Sequence, residues 1–261
     1  MRAMRLGWLF VKLTAQYEMQ YRINFFVQLV QSSLQLLTGI VAIQLVFTYT
    51  TELGGWSRAE LLVVLGVHLA LGGVMRAVIR PNMEQTIREV DEGTFDHPLV
   101  KPVDPQLFTS LRTFRVWQLT DVALGFGIIV WGLSELTGGL SIGGLFLGGF
   151  LMACGATLLY SMFLILTSSA FKLIKVGRMG DLVTGSYEAG RWPVTIYPIA
   201  MRLSLSYVIP LGFAITVPAQ TLVDRISGKD VALTLALTVA FALLSRVVWK
   251  AGINSYTSAS S

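Results

Sequence analysis

Charged residues are scarce in this 261-residue sequence: lysine, arginine, aspartate and glutamate make up 13% of it, while apolar residues make up 54%. A soluble domain usually carries about 25% charged residues, which its surface needs. The sequence also has a single cysteine, Cys154, which excludes an intrachain disulfide. We therefore expect the chain to be solvated largely by lipid.

Motifs of enzyme chemistry are missing as well. The sequence contains no G-x-x-x-x-G-K-[ST] phosphate loop, no H-E-x-x-H motif and no paired cysteines at metal-ligand spacing. Its two histidines, His68 and His97, lie far apart in the chain and are better explained as structural residues than as ligands. The sequence predicts no catalytic residue, no metal site and no cofactor in this chain.

Long apolar stretches dominate what is present. A helix needs about 20 largely apolar residues to cross about 30 Å of hydrocarbon, and continuous runs of this length exclude the weak alternation of a β-barrel. The predicted fold is an all-α integral membrane protein, with one transmembrane domain over residues 1–261. Its six predicted spans are Ile23 to Phe47, Arg58 to Val78, Val116 to Leu136, Gly144 to Ala170, Ile199 to Val217 and Val231 to Val248.

Basic residues lie mostly on one side of these spans. With the N-terminus inside, 17 of the 20 lysines and arginines face the cytoplasm, and Arg58, Arg225 and Lys229 face out. The positive-inside rule then predicts that both termini are cytoplasmic, together with the long loops over residues 81–110 and 171–198. Because the basic residues flank spans instead of forming one patch, no nucleic-acid partner is expected.

The first 22 residues predict an interfacial helix. Leu6, Leu9, Phe10, Leu13 and Tyr17 share one face of a helical wheel, and the charged residues lie elsewhere. This arrangement is typical of an amphipathic helix that lies on the inner leaflet.

The most motif-like segment covers residues 84–105. It predicts a short polar cytoplasmic helix from Glu84 to Glu92 between the second and third spans, ended by Gly93. A strap stiffened by Pro98, Pro102 and Pro105 follows. A solvated connector has no need for three prolines and six acids, so the composition favours a docking element.

Several strings, in this order along the chain, resemble bacterial permeases of ATP-binding-cassette exporters of the type-2 class. They are Glu92 to Asp96, Leu99 to Pro105, Gly190 to Pro198, Tyr207 to Pro210, Val217 to Ala219 and Ser255 to Ser261. The resemblance covers essentially the whole chain. It implies a transmembrane subunit in the bacterial plasma (inner) membrane that forms a translocation path with a second permease, identical or related. It also implies two separate ATPase subunits, which would hold the ATP and magnesium.

In that family the interfacial helix and the first cytoplasmic loop contact the ATPase. By position, the resemblance assigns this role to the segment over residues 84–105. The ATPase-coupling candidates are Glu84, Arg88, Glu89, Asp91, Glu92, Gly93, Asp96, Lys101 and Pro102.

Polar residues inside the spans are a second set of candidates. Polar groups inside hydrocarbon must find partners. One interpretation of the polar stripe on the first span is that it lines a translocation path or a subunit interface. The other is that its side chains form hydrogen bonds between helices of one subunit. Pro210 interrupts the fifth span, either at a path or as a static kink. Asp121 and Arg76 are predicted to form an interhelical ion pair near the cytoplasmic boundary. The stripe consists of Asn24, Gln28, Gln31, Gln35 and Thr38.

Glycines in the fourth span have small-residue spacings such as Gly144/Gly148, which suit close helix packing within the subunit or at a dimer seam.

Two other functions stay open at this point. An ion-coupled secondary carrier usually shows several ionisable residues at mid-membrane and internal repeats, and this sequence has neither feature. A membrane scaffold that transports nothing requires no particular motif.

Overall fold

Helices make up nearly all of the described secondary structure. The computed structural model describes residues 22–136, 141–171 and 183–256, and no extended strand occurs within these ranges. Five of its helices are long and apolar enough to cross a membrane, and a bent helix pair raises the number to six if it counts as one span. The predicted all-α membrane fold is confirmed. The predicted interfacial helix lies outside the described residues except for Arg22.

Ten α-helices with both ends in these ranges are joined by short 3-10 and π-helical pieces, and residues 183–187 are also helical. In chain order the elements are α1 Arg22–Tyr49, α2 Arg58–Val74, a π-helix Met75–Ile79, α3 Arg80–Asp91, α4 Asp96–Leu99, α5 Pro105–Leu111, a 3-10 helix Val116–Gln118, α6 Leu119–Ser134, α7 Ile142–Ser169, 3-10 helices Glu188–Arg191 and Val194–Ile196, α8 Ile199–Leu203, π-helices Ser204–Val208 and Gly212–Thr216, α9 Val217–Leu222 and α10 Gly228–Asn254.

The second span forms the centre of the bundle. α2 begins with the capping box that the sequence indicates: the Ser57 hydroxyl accepts from the Glu60 amide at 3.4 Å, and the Glu60 carboxylate accepts from the Ser57 amide at 2.7 Å. All residues from Leu61 to Leu71 are buried, including His68. A helix that is apolar on every face is expected in such a central position.

Glycines bring α2 and α6 into backbone contact. A Cβ atom placed on Gly66 would lie 2.7 Å from the Gly125 carbonyl oxygen, and one on Gly125 would lie 2.5 Å from the Ala70 amide nitrogen. Small residues allow membrane helices to approach this closely. The short distance between these two spans therefore depends on glycine, which has no side chain, at both positions.

Replacing Gly125 by alanine is expected to lower the free energy of unfolding by about 2 kcal/mol, because the new methyl group would force two helix backbones apart. Gly127 lies on the same helix, and a methyl group added there would meet nothing within 4 Å, so Gly127→Ala is the matched control. Thermal unfolding in detergent micelles measures both. Equal stability of the two variants would contradict the packing argument.

The apolar run predicted as the fifth span is not one straight helix. It forms two helical pieces, Ile199–Val208 and Gly212–Leu222, whose axes differ in direction by 79°. Pro210 lies at the bend and is buried. Proline lacks the amide proton that would continue the helix, which explains the break at this point.

The chain just before this bent pair does not lie wholly in a cytoplasmic loop. Tyr187 donates a hydrogen bond to the His68 carbonyl oxygen at 2.6 Å, and the Trp56 indole donates to Thr195 at 2.9 Å. Residues 187–195 therefore run along α2 from its middle to its first turn. The prediction that this stretch, Arg191 included, lies in a loop on the same side as residues 81–110 is wrong. Irregular backbone is tolerated at membrane depth because protein surrounds it.

The bent pair starts and finishes at the same end of the bundle, which we call the Trp56 end. Before the pair, Ile196 lies 3.2 Å from a Cβ position on Gly54. After it, Arg225 forms a 2.7 Å ion pair with Glu60 and donates to the Gly55 carbonyl at 2.6 Å. Hydropathy measures the length of an apolar run but not its direction, so the sequence could not show this return.

The glycine face of α7 packs within the subunit. A Cβ on Gly148 would lie 2.5 Å from the Leu222 side chain, and one on Gly155 would lie 2.4 Å from the Ala214 carbonyl oxygen. The sequence left open whether these glycines pack within the subunit or at a dimer seam. At Gly148 and Gly155 the structure shows packing within the subunit.

Candidate functional site

The helix of the second span extends well past the apolar region. α3 continues α2 through the π-helix Met75–Ile79 without a break, so one helical rod runs from Arg58 to Asp91. The helix expected over Glu84 to Glu92 is present as the last turns of this rod instead of a separate element. It ends at Gly93, whose φ of +68° is a left-handed conformation that favours glycine. We call this side of the molecule the Gly93 end.

A buried asparagine connects α3 to the chain that leads into α6. Asn82 donates to the carbonyl oxygens of Val78 at 2.6 Å and Thr113 at 2.7 Å, and it accepts from the Thr113 amide at 2.9 Å. Its side chain is fully buried. Sequence reasoning missed Asn82, because nothing in a polar helix marks which amide will be enclosed.

An ion pair strengthens the same connection. Arg112 contacts both carboxylate oxygens of Glu89 at 2.7 Å and donates to the Thr86 hydroxyl at 3.1 Å. The Arg112 side chain is 8% exposed. Hydrogen bonds between charged groups are stronger than neutral ones, and here the two terminal nitrogens of Arg112 have different partners on α3. Glu89, one of the predicted coupling residues, is therefore engaged inside the protein.

Four aromatic rings enclose the start of the strap. The Phe95 ring contacts Phe171 from the fourth span and Trp249 from the sixth, with centroid distances of 5.1 and 6.1 Å. Tyr256 completes this aromatic cluster at 5.7 Å, and its hydroxyl accepts from the Phe95 amide at 3.2 Å. Phe95 is fully buried. The edge-to-face arrangement adds to the burial energy of the rings.

The far end of the strap also contacts the sixth span. Arg246 of α10 forms an ion pair with Asp104 and donates to it at 3.1 Å through a second nitrogen. This hydrogen bonding lowers the pKa of the Asp104 carboxyl below its usual range. Lys101 lies 4.0 Å from the centre of the Phe108 ring, a cation–π contact within the strap.

What the strap leaves exposed is a compact group of side chains at the Gly93 end, which we call the tip. Val100 is the most exposed of its apolar residues, at 79%. Four predicted coupling residues, Arg88, Asp91, Glu92 and Pro102, belong to the tip. The tip consists of Arg88, Asp91, Glu92, Thr94, His97, Val100 and Pro102.

The other predicted coupling residues lie beside the tip and are less exposed. Glu84 forms an ion pair with Arg80 on the same helix, and Asp96 and Lys101 are half-buried. The predicted segment therefore divides into an exposed group and a group that holds the segment in place.

The predicted intramembrane acid and arginine are in contact. The Arg76 guanidinium contacts one Asp121 carboxylate oxygen at 2.7 and 3.0 Å, and Asp121 is 1% exposed. Ser32 donates to the other oxygen, and Gln28 donates to the carboxylate at 3.5 Å. The carboxylate thus connects the first three spans through hydrogen bonds to a charged group.

The polar stripe of the first span does not act as one surface. Gln28 faces the 3-10 helix that leads into α6, where it accepts from the Gln118 side-chain amide at 2.7 Å. Asn24, Gln31 and Thr38 are exposed, and the Thr38 hydroxyl donates back to the Leu34 carbonyl. Gln35 is half-buried. Among the contacts between described residues, only those of Gln28 provide the interhelical hydrogen bonding considered for this stripe.

The sequence has a clear relationship at the level of a protein family. It matches the model of the ABC-2 family of transporter proteins over residues 34–260. The chain belongs to the ABC-2 family. A search of curated proteins and a search of solved structures each returned no match.

Membership of the ABC-2 family makes the chain the transmembrane component of an ABC transporter and a multi-pass membrane protein. Proteins of the ABC-2 family generally work with separate ABC ATPase subunits, and the family itself is one of permeases and not of enzymes. The matched range includes the tip, the aromatic cluster and the Arg76–Asp121 pair.

Proposed function

We propose that this chain is the permease of an ATP-driven exporter, in which two ATPase subunits bind the tip from the cytoplasm. A second permease, identical or related, completes the translocation path. ATP and magnesium are held by the ATPase subunits, because this chain has no nucleotide-binding motif.

The observation that carries the proposal is that the tip is exposed, whereas the residues that support it are bound to other spans. We call these supporting residues, Asn82, Glu89 and Phe95, the base. Asn82 and Glu89 connect the base to the start of the third span, and Phe95 connects it to the fourth and sixth spans. A displacement of the tip is therefore passed to four spans, since α3 is itself the end of the second. Packed helices respond to such a push by moving between discrete arrangements.

The charge distribution supports a cytoplasmic tip in the bacterial inner membrane. The Gly93 end holds more basic residues than the Trp56 end, where Arg58 and Arg225 lie. At the Gly93 end are Arg76, Arg80, Arg88, Arg112, Arg246 and Lys250. An excess of arginine and lysine marks the cytoplasmic side of membrane proteins. The sixth span then returns the chain to the cytoplasm, and both termini lie there.

A thiol placed on the tip is expected to crosslink to an ATPase subunit. Cys154 is buried, so Asp91→Cys supplies the one accessible thiol among the described residues. A short thiol-to-amine crosslinker is applied to membranes of cells that make the native partners. Mass spectrometry of the product should identify a protein with a phosphate-binding loop.

The matched control is Glu52→Cys, an exposed position at the opposite end of the bundle. It should give no such product. Crosslinking of the ATPase to Glu52→Cys, or to neither variant when both proteins are present, would reject the tip as the contact surface.

A further inference from the structure

A small polar cavity opens between the first and third spans near the Gly93 end. Its volume is about 260 Å³. The cavity is lined by Asn24, Val27, Gln28, Arg115, Trp117 and Gln118. Nothing in the proposed coupling mechanism uses it.

The cavity carries one unmatched positive charge. Arg115 is exposed and forms no ion pair with any residue in the described ranges. The nearest buried acid of α6, Asp121, is already paired with Arg76. A net charge of one sign at a cavity attracts a ligand of the opposite sign.

Amide groups provide hydrogen-bond donors beside this charge. The Asn24 side chain makes no hydrogen bond to any residue that the structure describes, and the Gln118 amide nitrogen donates one of its two protons, to Gln28. Arginine together with amide donors suits the oxygens of a phosphate group.

The depth of the cavity places it at a membrane surface. The Arg115 amide donates to the Ala77 carbonyl at 2.9 Å, so Arg115 lies level with Ala77. Ala77 is 19 residues after Arg58, which corresponds to roughly 28 Å of helix, close to the thickness of the hydrocarbon core. Trp117 lines the cavity, and tryptophan is enriched at this level.

We propose that this cavity binds the phosphate of an anionic lipid headgroup in the leaflet at the Gly93 end. Its volume suits a headgroup, and the acyl chains would lie along the exposed apolar face of α1, which includes Val27, Val30 and Leu34. Basic pockets between membrane helices recognise anionic headgroups in this way.

The bound phosphate would also reach the buried ion pair. Gln118 accepts from the Arg76 guanidinium at 3.3 Å, and Gln28 donates toward Asp121. A headgroup that accepts a hydrogen bond from the Gln118 amide therefore alters the hydrogen-bond network that connects the first three spans. The proposal depends on membrane insertion and not on transport, so it can fail independently of the exporter function.

The test measures which lipid stays with the protein. The full chain is reconstituted in bilayers of equimolar phosphatidylcholine and phosphatidylglycerol, extracted in mild detergent, and its retained lipids are counted by native mass spectrometry. Wild type should favour phosphatidylglycerol. Arg115→Gln should reduce that preference about five-fold, the effect of one basic residue near a membrane surface, and Arg115→Lys should keep most of it.

Lys250→Gln is the matched control, since it removes an exposed positive charge at the same end of the bundle, on α10. It should leave the preference unchanged. An unchanged preference in Arg115→Gln, or an equal loss in Lys250→Gln, would overturn the site. Displacement of phosphatidylglycerol by glycerol 3-phosphate would show that the cavity takes a water-soluble phosphate, and the lipid assignment would be wrong.

Discussion

Replacing Asp121 by alanine is expected to destabilise the protein by about 3 kcal/mol. The substitution leaves the Arg76 guanidinium in a largely buried position without its counter-ion and removes the acceptor for Ser32. Breaking a buried pair from one side costs more than the pair contributes, because an uncompensated charge remains. Unfolding in mixed detergent micelles measures the change.

Two further variants test whether the loss of stability comes from the uncompensated charge and not from the smaller side chain. Glu84→Ala breaks the partly exposed Arg80–Glu84 pair and should change stability by about 0.3 to 0.5 kcal/mol. The charge swap Arg76→Asp with Asp121→Arg should be more stable than either single change. A swapped protein as unstable as the worse single variant would argue against an interaction between the two charges.

Replacing Phe95 by alanine is expected to cost about 3 to 4 kcal/mol, because a fully buried ring is removed from between three other rings. If the chain works as the proposed exporter, the same change should separate ATP hydrolysis from transport. The tip would still contact the ATPase, but its connection to the fourth and sixth spans would be lost. Both activities are measured on reconstituted vesicles, per molecule of folded protein.

Tyr256→Phe provides the matched comparison for Phe95→Ala. It keeps the ring packing and removes only the hydroxyl that accepts from the Phe95 amide, so it should cost about 1 kcal/mol and leave transport coupled. If Phe95→Ala lowered hydrolysis and transport in the same proportion, the aromatic cluster would be a stabilising contact without a role in transmission.

Local signals in the sequence predicted local structure well. Five of the six apolar runs correspond to long membrane helices, Ser57 and Glu60 predicted a capped start, and Gly93 predicted a helix end. Each of these depends on residues within a few positions of one another. The Arg76–Asp121 contact was also accessible, because a charge placed inside an apolar run needs a partner and few are available.

The features that could not be predicted from the sequence depend on contacts between residues far apart in the chain. The course of residues 187–195 depends on Thr195 meeting Trp56, and the role of Phe95 depends on rings more than 70 positions later in the chain. No periodicity encodes such pairings. The same applies to Glu89, whose carboxylate resembles that of Asp91 in sequence but is bound by Arg112.

The π-helix at Met75–Ile79 changes the direction in which the residues after it face. A π-turn accommodates one residue more than an α-turn, so every position beyond Ile79 is rotated by about 100° relative to an uninterrupted α-helix. Deleting a single residue within this stretch would restore ordinary α geometry and swing Asn82 and Glu89 away from Thr113 and Arg112. The rotation of α3 about its own axis, and with it the direction in which the tip points, is thus set by one additional residue near the end of the second span.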